Sequence, residues 1–248
     1  MIANAQRWAG RAWGALMAPA VGATSRVRRS RMFHPRGMIL RGQVRALPGE
    51  ARELGERLSG CALVRFSGAW WKEHEWPDVL GCAVRFRKSA QVTALPDADD
   101  QDLLLATIRS PWTTPLAPLS TRQHDFLDND YFGVSPFDIA SSGRVKFRLR
   151  PADAPAAGST RVEKLRNALD RGPVLLTLGV RSHALGAKYV PCVEITLEGL
   201  IALEDDALRF DPFRSGRGVR PVGLVHNARA ATYAASRRFG SRTQPVHS

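Results

Sequence analysis

From Gly37 onward the chain is built of short β-rich runs separated by Gly, Pro, Asp and Ser. Met38 to Ala46, Ala62 to Ser67, Cys82 to Arg87 and Leu103 to Arg109 have the composition of strands. Over 144–150, Val145, Phe147 and Leu149 alternate strictly with basic residues, which places the two sets on opposite faces of one strand. Val174 to Val180 and Cys192 to Leu200 bring the count to about seven, and repeated strands between turn signals predict an antiparallel sheet that closes into a barrel. Val162, Leu165 and Leu169 mark a helix stopped by Gly172 and Pro173. A last helix is expected from about Val222 to Phe239, with Gly240 beyond its end. The expected fold class is α+β, an antiparallel β-barrel with flanking helices.

Ahead of the barrel, Ala5, Trp8, Ala9, Ala12, Trp13, Leu16 and Met17 fall at helical spacing, with Arg7 and Arg11 one turn apart on another side. Residues 1–30 are therefore expected to form a basic amphipathic arm, distinct from a domain over 31–248. An Arg-rich, acid-free start is also a feature of some organelle-targeting peptides. Residues 151–160 form an Ala/Pro/Gly linker.

The 248 residues are 44% hydrophobic and 24% charged, the balance of a folded domain with a core, which excludes disorder and collagen. Cys61, Cys82 and Cys192 are odd in number, lie among apolar neighbours and lack metal-ligand spacing. They read as reduced core residues and favour a cytoplasmic address. No run approaches the roughly 18 to 20 apolar residues that span a bilayer.

Charge changes the picture more. The formal net charge is +13, and residues 1–49 hold nine arginines without an acid, while 207–248 hold eight against Asp211. The middle of the chain is slightly acidic. Basic ends of this kind suit nucleic acid, anionic lipid or an anionic ligand. Nucleic acid is disfavoured, because in the basic N-terminal part only Trp8 and Trp13 are available to interleave with the arginines. An anionic membrane surface met through the N-terminal helix fits better.

The chain has no GxGxxG after a strand, no GxxxxGK[ST], no HExxH and no GxSxG, so the common nucleotide, zinc-protease and hydrolase chemistries have no support. Three other constellations remain. In the last helix Arg229 and Tyr233 are one turn apart on one face. A helical Tyr is usually packing, yet a guanidinium beside a phenol favours the phenolate, and a phenolate is one of the few axial ligands used for haem iron. His34 follows Arg31 by three residues directly before the first strand, a spacing unremarkable by itself. Arg65 interrupts the apolar run Val64–Phe66: either it points to solvent between inward neighbours, or it is buried and must have an anionic partner.

Together these segments resemble the catalase superfamily of haem proteins. HPRGMILRGQV is similar to the family's distal-histidine region. VRFSGAWWKEHEWPDVLGCAVRF is similar to the stretch that opens Arg-Phe-Ser, Leu103 to Pro111 resembles the strand that ends Ile-Arg-Asp, and Arg229-x-x-x-Tyr233 has the spacing of the proximal Arg and Tyr. The order of the four blocks agrees over 31–111 and 207–242. The likeness is to small, stripped-down catalase-like proteins, and it implies that NDYFGVSPF and GRVKFRLRP continue a barrel of about eight strands. It further implies haem b as cofactor, with Tyr233 as iron ligand and Arg229 as its activator. Arg31 and Arg65 would pair with the propionates, His34 would be the distal acid/base, and Ser67 the hydroxyl that holds its ring.

Departures from the family pattern bear on activity. The distal Asn corresponds to Asp102, and a carboxylate cannot donate the same hydrogen bond unless protonated. An arginine expected seven residues beyond the proximal Tyr corresponds to Gly240, with Arg237 or Arg238 as substitutes. Trp70 and Trp71 either narrow access to the site or belong to the core. The resemblance implies an oxidoreductase acting on hydrogen peroxide or an organic hydroperoxide, as peroxidase or rearrangement catalyst rather than efficient disproportionator. The competing expectation is a non-catalytic haem- or lipid-binding barrel docked by its basic ends on a membrane or nucleic-acid surface. Homo-oligomerisation stays open in both.

Overall fold

The computed structural model describes residues 37–222 apart from 72–73, 111–112, 114–115, 134, 141, 153–155, 185 and 204–206. The sevenfold strand pattern appears as β1 (Gly37–Ala46), β2 (Gly60–Gly68), β3 (Leu80–Arg87), β4 (Gln101–Ala106), β7 (Gly143–Pro151), β8 (Val174–Ser182) and β9 (Val190–Leu200). Three short strands join them: β5 (Tyr131–Gly133), β6 (Phe137–Ile139) and β10 (Val219–Pro221). The helices are α1 (Arg52–Leu58), the single turn α2 (Ala117–Ser120) and α3 (Arg161–Arg171). The expected terminal helix and the N-terminal arm lie outside the described residues.

All the pairings are antiparallel, and the ring β1–β2–β3–β4–β5–β7–β8–β9 closes where β9 meets β1. β6 continues alongside β7 beyond β5, and β10 pairs with β6 outside the ring. Eight strands give an interior just wide enough for side chains to fill. Leu40, Val64, Val84, Leu103, Phe147, Leu178 and Ile195 point inward and are buried. Phe66 stacks on Phe126 at 5.4 Å and tilts against Tyr131 at 5.6 Å, while Phe137 meets Phe147 edge-on at 5.1 Å.

α3 begins where the Thr160 hydroxyl accepts the Glu163 N–H, and it ends at Gly172, whose φ of 149° suits glycine. It buries Leu165 and Ala168 against the barrel core. α1 lies on β9 so closely that a side chain at Gly55 would strike the Cys192 carbonyl oxygen. Cys82 and Cys192 are buried, as expected, and burial pushes both thiols up, Cys192 to about 12. Cys61 is only half-buried, because its register opposite Gln43 turns it to the outside of the barrel. Among the described residues no helix is long and apolar enough to cross a membrane.

On the outside of β7, Asp130 joins Arg150 through two bonds of 2.8 and 2.9 Å. Burial by itself would raise the Asp130 pKa, but the Arg150 bond and the charges of Arg150, Arg148 and Arg109 outweigh it and hold the carboxyl below its ordinary value. A depressed folded pKa stabilises fully above the unfolded value of about 3.9 and is lost as pH falls through the folded one. Asp130→Asn is therefore expected to lower the thermal midpoint at neutral pH, and the gap from wild type to close below about pH 4. Paired melts from pH 7 to pH 3 check this, and a gap independent of pH would contradict it.

Candidate functional site

The register of β1–β4 decides which side chains share a face. Gly37, Ser67, Gly81 and Ala106 stand in one row across the four strands, followed by the row Ile39, Arg65, Ala83 and Leu104. Both rows face outward, since Val64 and Phe66 point into the core. The next outward row is Arg41, Leu63, Arg85 and Asp102. Arg65 thus alternates with its apolar neighbours as a surface residue would, yet it is only 4% exposed. The outside of this wall is covered: Leu208 packs on Ile39 and Leu63, with Ile201, Leu203 and Phe210 around them.

Arg65 reaches along the wall toward the start of β1. A Cβ on Gly37 would lie 2.6 Å from its guanidinium, so glycine at position 37 is what lets the guanidinium lie there. Ser67 is buried beside it in the neighbouring row. Around these two groups the side chains of Gly37, Gly81 and Ala83 are minimal, and the Arg65 guanidinium fills the space over Gly37. His34 precedes Gly37 by three positions in the sequence.

The structure does not bring Asp102 to this place. It stands on the row of Leu63, four residues along from Ser67, or about 13 Å at the rise of a strand. Its carboxylate takes Arg85 Nε and Nη2 at 2.8 and 3.0 Å, the Asp211 backbone N–H at 2.8 Å and Arg214 Nε at 3.1 Å. Arg85 also donates to the carbonyls of Ala94 and Arg209 and lies 5.2 Å from the Phe210 ring. Beside it Arg87 bonds Asp97 at 3.0 Å and lies 3.5 Å from Asp100. Arg217 donates to the carbonyls of Arg57 and Ser59 at 2.9 and 2.7 Å. This buried ionic network ties β3, β4 and the 88–100 loop to the segment 209–217. The signal for it was two arginines at alternating positions in an apolar strand, followed by Asp97, Asp99, Asp100 and Asp102.

Two of the three tyrosines are described, and both are held protonated. Tyr131 is inside the barrel with its hydroxyl donated to the Phe126 carbonyl, and burial raises its pKa well above 10. Tyr189 is half-buried, and burial raises its pKa in spite of Arg181 and Arg148 beside it. The described histidines lie elsewhere than Ser67: His74 stacks on Trp76, His124 bonds Glu75 at 2.9 Å and His183 is exposed. Among the described residues no group of His, Cys, Asp or Glu is arranged to hold a metal ion. Trp70 and Trp71 are exposed, so the core alternative for them is excluded. His34, Arg31, Arg229, Tyr233 and Arg238 lie outside the described residues.

No family model matches the chain and no curated protein matches it. Among solved structures it is similar to a fungal catalase, with a TM-score of 0.61 at 11% identity, over 90% of this chain and 62% of that one. The likeness establishes a catalase-like barrel fold. The chain spans less than two thirds of the length of the catalase it matches.

Proposed function

We propose that this protein is a haem-dependent oxidoreductase acting on hydrogen peroxide or an organic hydroperoxide. The observation that carries the proposal is the buried outer wall of a catalase-like barrel, where Arg65 and Ser67 stand side by side over a row of minimal side chains at the start of β1. These residues fit a haem by their chemistry. A flat macrocycle needs a surface without protruding side chains, and a propionate needs a buried guanidinium. A ligand inside the barrel would meet the side chains of the packed core, which disfavours the alternative of a lipid carried in the lumen.

In this proposal Arg65 and Arg31 would hold the two propionates, Tyr233 would be the iron ligand, Arg229 would keep its phenol ionised, and Arg238 would add a further cation. Haem, when bound, supplies a redox-active iron. His34 accepts a proton from the peroxide and returns it to the departing oxygen, which leaves as water or as an alcohol. Ser67 orients the His34 ring. Asp102, with its carboxylate occupied by Arg85, Arg214 and the Asp211 N–H, acts as a positioning residue that anchors the wall beneath the site. The missing amide donor leaves peroxide without one of its orienting hydrogen bonds, which favours peroxidase or rearrangement chemistry over efficient disproportionation.

The test is the absorption spectrum of the full chain before and after addition of haemin. Wild type is expected to show a high-spin ferric spectrum with a tyrosinate charge-transfer band, and Tyr233→Phe to lose that band. Arg65→Ala is expected to weaken haemin binding by about tenfold or more. His34→Ala should bind haemin as wild type does but consume peroxide about 10²- to 10⁴-fold more slowly. Coincident spectra of wild type and Tyr233→Phe would overturn the assignment of Tyr233 as ligand, and no haemin binding by wild type would overturn the proposal.

A further inference from the structure

The end of the barrel where β2 passes to β3 carries a surface that peroxide chemistry does not use. In the loop between these strands Trp70 and Trp71 are exposed and Trp76 is 55% exposed. Trp71 meets Trp76 edge-on at 4.9 Å, and His74 stacks on the Trp76 ring at 4.9 Å. The loop is tied down at described residues on both of its sides. The buried carboxylate of Asp78 accepts the N–H groups of Trp70 and Val79 at 3.2 and 2.7 Å, and the Trp71 indole donates to the Pro77 carbonyl at 3.3 Å.

Next to the loop, α2 buries Ala117 against Ala69, Val79 and Ala106. Leu116, just before α2, is 63% exposed, and Leu119 within it is 80% exposed. The tryptophans and leucines therefore border one small apolar cluster and form one surface rather than scattered single residues. A grouped apolar surface on a fixed backbone marks contact with another apolar phase.

Charge adjoins it. Ile108 packs on the same small cluster, and the next residue, Arg109, lies 5.6 Å from the Phe132 ring on β5. Arg109 acts on Asp130 together with Arg148 and Arg150 of β7. Outward along β7 a cation recurs at every second residue from Arg144 to Arg150, and Lys146 stands directly opposite Arg181 of β8. Like charges so placed oppose pairing of the strands. Among the described residues neither Lys146 nor Arg181 has a carboxylate partner; the acids on this face are Asp130, Asp138 opposite Arg144, and Glu194 of β9, which Arg45 holds at 2.9 Å. Among the described residues the aromatic side chain between these cations, Tyr189, is covered by the guanidinia of Arg148 at 4.5 Å and Arg181 at 5.0 Å, so no ring interleaves with the basic strands as a single-strand binder needs. The exposed rings border the same small apolar cluster as Leu116 and Leu119, an arrangement that favours a lipid surface over a nucleic acid.

We propose that this end of the barrel docks on an anionic lipid bilayer. The tryptophans with Leu116 and Leu119 enter the boundary between headgroups and acyl chains, where the indole is at home, and the cations from Arg109 to Arg181 meet lipid phosphates. Shallow apolar insertion and a basic patch are each marginal alone and sufficient together.

The experiment uses the full chain, with and without haemin, and two kinds of vesicle: phosphatidylcholine alone, and equal parts of phosphatidylcholine and phosphatidylglycerol. Co-sedimentation with the anionic vesicles is expected, weakening as salt is raised and accompanied by a blue shift of tryptophan emission. W70S/W76S is expected to lower vesicle affinity about tenfold or more. L116S/L119S, on a separate element, should lower it in the same direction and carries the test should the first variant fold poorly. Wild type that ignores anionic vesicles would overturn the proposal. So would both variants binding as wild type does, which would assign binding to another part of the chain. A wild-type dimer that W70S/W76S makes monomeric would overturn it in favour of self-association. Because the outcome is read on haem-free protein as well, this proposal and the haem proposal fail separately.

Discussion

Asp102→Ala is expected to cost about 3–5 kcal/mol of stability, the largest effect of any single change on the outer wall. The carboxylate lies at the centre of Arg85 Nε and Nη2, Arg214 Nε and the Asp211 N–H, at 2.8 to 3.1 Å. Removing it leaves Arg85, which is fully buried, facing a vacancy in low dielectric, and releases the segment 209–214 from β4. Arg85→Met alone should also destabilise, since it strands the buried Asp102 charge, whereas Asp102→Ala combined with Arg85→Met should recover part of the loss. Denaturant titrations of the three variants give the coupling energy. Equal stability of Asp102→Ala and wild type would mean that this network is not a buried ionic centre.

Phe66→Ala is the second. It empties the middle of the barrel, removing the ring that stacks on Phe126 and touches Tyr131, and the expected loss is about 3–5 kcal/mol. The interior is closed on all sides by paired strands, so the wall has little room to collapse into the space. Phe66 and Arg65 are neighbours in sequence but face opposite sides of the sheet. Phe66→Ala should therefore lower the denaturation midpoint and leave haemin affinity at 25 °C near that of wild type, while Arg65→Ala should weaken haemin binding. Loss of haemin affinity in Phe66→Ala at 25 °C would show that the inner and outer faces are not separable.

Much of the barrel was legible because its long strands carry a period. Arg144 to Arg150 alternates without a fault, and the observed strand, Gly143–Pro151, extends it by one residue at each end. The helix stopped by Gly172 and Pro173 was equally plain. β5, β6 and β10 have three residues each, too few for any period to register. α1 was missed for a related reason: it has seven residues and includes Gly55, which weakens a helix locally but is required by the close approach to the Cys192 carbonyl.

At the site, Arg65 and Ser67 were found through their likeness to a family segment, and the structure sets them on one outer face. Whether Arg65 was buried was undecidable from alternation, because the chain that covers this wall at Ile39 and Leu63, the stretch around Leu208, is distant in sequence. The same applies to Arg85 and Arg87. Each looks like the polar half of an alternating strand until β4 and residues 209–217 bring Asp102, Asp100 and backbone carbonyls against them. Ionic networks formed across a sheet have no local spacing to read.

The placement of the three cysteines has a bearing on how the molecule survives oxidants. Thiolate, not thiol, is what reacts, and the sulfurs of Cys82 and Cys192 are sealed in the interior with ionisation suppressed. Cys61, turned outward beside Gln43 and only half-buried, is the most accessible of the three sulfurs to an oxidant in solution. Damage from that direction would mark the surface before it touched the core.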